Sequence, residues 1–183
     1  MADNEELEVL KTVARRLGQA GIAYMVTGSI AGNFYAVPRM TRDIDIVIEL
    51  SNLNVDKFVK LFEGAFYLEP ETIRDAVKNR RMFNLIEDRF LVKVDFVVRK
   101  DEPYRRMEFS RRQRIVLDED RIYVVTPEDL ILSKLYWAKD SESVVQMNDV
   151  RNLIESVPKL DRRYLTRWAR TLGIDSLYKK VTK

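Results

Sequence analysis

The sequence predicts an α/β (α+β) protein: a strand-and-helix core over 1–125 and a helical region over 126–183, packed as one compact unit. Three observations carry this. Short apolar runs of β character alternate with helix-periodic segments through the first part of the chain. Two pairs of runs, Met82–Glu87 with Phe90–Val98 and Arg114–Leu117 with Arg121–Val125, are separated by turn residues in the manner of hairpins. Beyond them the strand signals stop and helical spacing takes over. A chain of 183 residues, 46% hydrophobic and 33% charged, is long enough for one domain with a real core.

The elements follow in order. Residues 4–20 repeat Leu7, Leu10, Val13 or Ala14, and Leu17 at helical spacing, and Gly21 suits the position just past a helix end. Residues 23–27 read as a buried strand closing on Gly28-Ser29. From Ser29 the chain reads as helical through Tyr35, stopping before Pro38. Asp43 to Glu49 is a strand alternating polar and apolar at first. Asn54 can cap a helix over 55–63, ended by Gly64, and a short helix starts at Pro70. After the hairpins, Thr126-Pro127-Glu128-Asp129 supplies a cap, a proline at the first helical position and acids in the first turn. Two or three more helices fill 144–181.

Composition narrows the chemistry. There is no cysteine, which excludes disulfides, thiolate metal sites and cysteine nucleophiles. There is no histidine, which removes the commonest general base, the Ser-His-Asp arrangement and histidine-ligated metals. Any catalytic metal must be held by oxygen, favouring magnesium, with manganese as the alternative. A net charge of +3 allows an anionic partner without demanding one. The acidic start lacks an apolar signal region and no run matches a membrane span, so the cytoplasm is the expected location.

The chemistry concentrates in three acids. Asp43 and Asp45 are two apart, so on a strand their carboxylates leave the same face while Ile44 points into the core. Asp95, between Val94 and Phe96, would join them if its strand lies alongside. Like charges so placed repel unless a cation sits among them, and three carboxylates suit two divalent ions for in-line phosphoryl or nucleotidyl displacement. Gly28 permits close backbone approach, and the N–H groups of the following helix with the Ser29 hydroxyl can cradle a phosphate. Together these describe a site for a nucleoside triphosphate with magnesium.

Gly28-Ser29, Asp43-Ile44-Asp45 and Val94-Asp95-Phe96 together resemble the DNA polymerase beta-like nucleotidyltransferase superfamily. The stretches Val37 to Asp45 and Thr126 to Leu135, with the acid in Asn148-Asp149-Val150, look especially like the branch of abortive-infection (type IV toxin–antitoxin) nucleotidyltransferases. The resemblance spans roughly residues 20–155. It implies a mixed, mostly antiparallel sheet with helices packed on it, two-metal catalysis by Asp43, Asp45 and Asp95, and nucleotide transfer with pyrophosphate release. It places Lys134 near the triphosphate, against the plain alternative of a surface lysine lying along apolar neighbours. Asp149 matches a family acid whose role here stays open, because Gln146-Met147-Asn148 replaces the arginine–aspartate pair often found before it.

Arg39 and Arg42 flank the acids and are read equally as phosphate contacts or as salt-bridge partners. Arg99 to Arg114 holds seven basic residues against three acids, with Tyr104 and Phe109 interleaved, a composition that suits RNA as well as a solvated helix face. Arg162, Arg163, Arg167 and Arg170 recur at helical spacing and read as packing and solubility. The competing function is a Mg-NTP-binding toxin–antitoxin or regulatory module without turnover. The acceptor, the preferred base and the oligomeric state have no local motif.

Overall fold

The computed structural model describes residues 5–141 and 143–182. Residue 4, where the first helix is predicted to begin, lies outside them. The order is α1 (Glu5–Gln19), β1 (Tyr24–Thr27), α2 (Gly28–Tyr35), β2 (Asp43–Ile48), α3 (Val55–Phe62), β3 (Phe66–Tyr67), α4 (Pro70–Lys78), β4 (Met82–Glu87) and β5 (Lys93–Val98). Then come α5 (Pro103–Ser110), β6 (Gln113–Leu117), β7 (Asp120–Val124), α6 (Pro127–Ala138), α7 (Val144–Ser156), α8 (Arg162–Thr171) and α9 (Asp175–Thr182).

The seven strands form one sheet in the order β3-β4-β5-β2-β1-β7-β6. It is mixed: β2 pairs with β5 and β1 with β7 in parallel, and the other neighbours are antiparallel. β1 sits centrally, and Tyr24, Met25 and Val26 are all buried, as expected of a strand covered on both faces. On β2 and β5, Ile44, Ile46, Ile48, Val94, Phe96 and Val98 are buried on one face. There Phe96 meets Phe58 edge-to-face at 5.3 Å and stacks on Phe83 at 5.2 Å, anchoring α3. The period of two sends Asp43, Asp45 and Asp95 to the opposite face.

Several boundaries differ from the sequence expectation for identifiable reasons. α2 starts at Gly28, one residue before Ser29, so the glycine-serine pair lies in the first turn itself. β5 starts at Lys93 rather than Phe90. The Glu87 carboxylate accepts the N–H groups of Arg89 and Phe90, and Leu91 is left-handed at φ 56°, so residues 88–92 form a turn. Asn54 precedes α3 within a 3-10 turn and makes no side-chain cap. The cap at α6 holds: Thr126 Oγ1 accepts from the Asp129 N–H at 3.3 Å and donates to its carboxylate at 2.6 Å.

The basic stretch from Arg99 to Arg114 contains α5, a helix with one buried face rather than a wholly solvated one. Pro103 opens it, and Tyr104, Glu108 and Phe109 are buried beneath it. Buried polar groups tie it to the C-terminal helices. Ser133 donates to Glu108 and accepts from Arg105 at 3.0 Å, and Asp129 takes Arg111 at 3.0 Å and the Tyr164 hydroxyl at 2.6 Å. These bonds fix α6 against α5 and α8, and α6 carries Lys134 into the site. Among the described residues no helix is long and apolar enough to cross a membrane.

Candidate active site

Parallel pairing of β2 with β5 places Asp45 directly beside Asp95 and Asp43 beside Lys93. A slip of one residue would turn every one of these side chains into the core, so the apolar face fixes the acidic one. Asp95 is buried at 7% exposure; its Oδ2 takes Lys93 Nζ at 2.8 Å, and its Oδ1 is buried without a hydrogen bond. Asp43 is exposed and lies 3.6 Å from the same ammonium. Asp45 accepts no hydrogen bond from the described residues. Burial first, then the negative charge of Asp95, pushes its carboxyl up to about 6, with Lys134 and Lys93 opposing.

The glycine serves Asp45 directly. Thr27 pairs with Asp45 across the sheet, and the chain turns into α2 at Gly28 with φ +65°. A Cβ at this position would stand 1.9 Å from Asp45 Oδ2. The missing side chain is therefore filled by a carboxylate from the neighbouring strand.

A second cluster lies at the start of α2. Arg39 holds Asp149 through two bonds, at 3.0 and 3.1 Å, and donates to the Ser29 hydroxyl. Lys134 is buried at 4% exposure, bonded to Asp149 at 2.7 Å and Gln146 at 3.2 Å. Burial works against ionisation of Asp149, but the bonds from Arg39 and Lys134 outweigh it and hold the carboxyl below its ordinary range. Asp149 thus gathers two cations beside Ser29. Lys134 is no surface lysine.

Asn33, which carries no motif signal, secures the loop that delivers Arg39. Its amide accepts the Arg39 N–H and donates to the Arg39 carbonyl, both at 3.0 Å. Asn33→Ala is expected to cost about 1 kcal/mol of stability and to speed amide exchange over residues 36–42. Unchanged exchange in that loop would show that the clamp is idle.

Gly28, Ser29, Asp45, Asp95 and Lys134 line one cavity of about 290 Å³, together with Met82, Val97, Leu130 and Trp137. Arg39 and Asp149 line the adjoining recess with Ser29 and Lys134. Arg42 is exposed and, among the described residues, enters neither cluster. No group of three acids among the described residues is gathered tightly enough to enclose a metal ion. Asp45 and Asp95 still fit a hard divalent cation as a pair, since they are adjacent carboxylates and one oxygen is buried without a donor. Lys93 supplies the positive charge between Asp95 and Asp43 in this structure.

The basic stretch from Arg99 to Arg114 is largely tied into the fold. Arg99 pairs with Glu49 at 2.6 Å, Arg106 with Asp101 at 3.0 Å, and Arg105 and Arg111 join the buried network. Tyr104 and Phe109 are core residues, at 3% and 5% exposure, so neither can stack on a base. Lys100 and Arg114 are exposed and make no ion pair among the described residues. The arginines of α8, Arg162, Arg163, Arg167 and Arg170, line one open surface around Thr166, while Leu165, Trp168 and Ala169 face the core.

No family model matches the chain, and no curated protein matches it in sequence. Solved structures do match its fold. An antigenic nucleotidyltransferase-like protein from Paracoccidioides brasiliensis superposes with a TM-score of 0.62 at 15% identity, covering 97% of this chain and 92% of that one. The antibiotic-resistance factor ANT(2'')-Ia gives 0.54 at 15% identity, over 94% and 97% of the two chains. The lincosamide antibiotic adenylyltransferase LnuA, solved with lincomycin, gives 0.53 at 11% identity, over 79% and 94%. The chain has the nucleotidyltransferase fold.

Proposed function

We propose that this protein transfers a nucleoside monophosphate from a nucleoside triphosphate to an acceptor hydroxyl, releasing pyrophosphate. One observation carries the reading: two adjacent carboxylates, a helix start bearing Ser29 and a buried ammonium line a single cavity. The fold shared with a lincosamide antibiotic adenylyltransferase supports it. So does the resemblance of the acid spacing to the polymerase beta-like superfamily, where the toxin-type branch is the finer expectation.

In this reading Ser29, the first N–H groups of α2 and Lys134 hold the β- and γ-phosphates. Arg39 reaches the same phosphates from the recess. Asp149 holds both cations ready and yields them in part as the triphosphate arrives. Asp45 and Asp95 would hold magnesium or manganese, while Asp43 lies exposed beyond them. The bound ion would neutralise charge on the triphosphate and lower the pKa of the acceptor hydroxyl. The acceptor oxygen attacks the α-phosphorus, a new P–O bond forms, and the bond to the β-phosphate breaks with pyrophosphate leaving. The hydroxyl proton passes to the Asp45–Asp95 carboxylate pair, since no histidine exists to take it.

Lys134→Met is expected to raise the KM for the triphosphate by roughly 10- to 100-fold, the loss of one charge-assisted bond. An unchanged KM would remove Lys134 from the phosphate site. The acceptor class is found by incubating the protein and magnesium with α-labelled NTP and separate RNA, protein and small-molecule pools. Label entering one pool names the acceptor. Tight NTP binding with no label in any pool would instead mark a binding module.

A further inference from the structure

The acids, Ser29 and Lys134 account for only part of the cavity lining. Apolar side chains share the lining: Met82 from β4, Val97 from β5, and Leu130 and Trp137 from α6. Two of these are large side chains left exposed, Trp137 at 66% and Met82 at 57%. The chain's other tryptophan, Trp168, is buried at 8% exposure and packs at 5.1 Å on Tyr104. Trp137 is thus not needed to fill the core. Its exposed indole lines the same cavity as Asp45, Asp95 and Lys134.

Position along α6 gives this tryptophan a meaning. Lys134 and Trp137 are three residues apart, so they share a helix face and are offset by about 4.5 Å along the axis. A ligand held at its phosphates by Lys134 and Ser29 would carry its next rigid group past the indole. A nucleoside triphosphate ends in a flat aromatic base, which stacks on indole whatever its hydrogen-bonding edge. From this arrangement we infer that Trp137 is the platform for the nucleobase, and that the enzyme selects purine over pyrimidine triphosphates by stacking area. This rests on the triphosphate reading of the same site. Stacking alone does not separate adenine from guanine, so ATP and GTP bind alike and both bind more tightly than CTP and UTP.

The test is nucleotide binding by calorimetry and tryptophan fluorescence, with inorganic tripolyphosphate as a ligand that has phosphates and no base. ATP is expected to quench the exposed tryptophan emission, whereas tripolyphosphate binds without quenching. Trp137→Ala is expected to weaken ATP by roughly 5- to 150-fold, to leave tripolyphosphate unchanged and to level the four nucleotides. Trp137→Phe keeps a ring at this exposed position and restores most of the ATP affinity. ATP affinity unchanged in Trp137→Ala, or tripolyphosphate weakened equally, overturns the base platform while leaving the triphosphate site standing. Failure of both ATP and tripolyphosphate to bind the parent protein overturns the site and the platform together.

Discussion

Asp45→Asn should melt at a higher temperature than the parent at pH 8, while its nucleotide transfer falls by about a hundredfold or more. Both effects come from one cause. The Asp45 carboxyl is pushed up from 3.8 to about 6 because burial and the neighbouring Asp95 disfavour its charge. A carboxyl raised in the folded state binds its proton more tightly there than in the unfolded chain. Below about pH 4 both states hold the proton and the charge costs nothing. Between about pH 4 and 6 the folded state holds more protons, so stability falls as pH rises, and above that the full cost remains. A shift of this size corresponds to at most roughly 3 kcal/mol, less where water still reaches the group.

An asparagine removes the charge that burial and Asp95 disfavour. The gain should appear as a Tm increase of about 2 to 8 °C at pH 8, shrinking towards zero at pH 4. Magnesium should raise the Tm of the parent and much less that of the variant. A variant that melts earlier at pH 8, or that transfers at the parental rate, contradicts this account of Asp45.

Gly28→Ala should destabilise the fold by about 3 kcal/mol or more, seen in urea or thermal unfolding. Two costs add. The backbone sits at φ +65°, where a residue with a side chain is disfavoured by roughly 1–3 kcal/mol. The new methyl would also fall 1.9 Å from Asp45 Oδ2 and 2.7 Å from its carboxyl carbon, so the carboxylate must leave its place. Transfer should be lost with it. Combining Gly28→Ala with Asp45→Ala separates the costs. That background removes the two closest overlaps but leaves the backbone term, so the penalty of the glycine change should shrink by about 1 kcal/mol or more. Strict additivity would mean that glycine and carboxylate do not press on each other.

How far the sequence foretold this site depends on the range of each interaction. Asp43 and Asp45 sharing a face follows from the period of a strand, and Asp95 from the same rule. Which residues face each other does not follow, because it depends on the register of two parallel strands far apart in the chain. Lys93, the cation between Asp95 and Asp43, therefore went unseen. So did Asn33, whose role appears only when the loop folds back on its helix. Gly28 was marked for phosphate approach, whereas its first neighbour is Asp45. The stretch from Arg99 to Arg114 cannot be read from composition: its aromatic residues are the buried face of α5, and Arg99 and Arg111 answer acids from other elements.

The central claim is that this cavity moves the α-phosphoryl group of a nucleotide. It is tested most directly by comparing ATP labelled at the α- and at the γ-phosphate, with magnesium and the responsive acceptor pool, in the parent protein and in Asp95→Asn. The predicted result is α-label in the acceptor, one pyrophosphate released per transfer, no γ-label transferred, and neither product from the variant. Transfer of γ-label, or equal α-label transfer by Asp95→Asn, would contradict it.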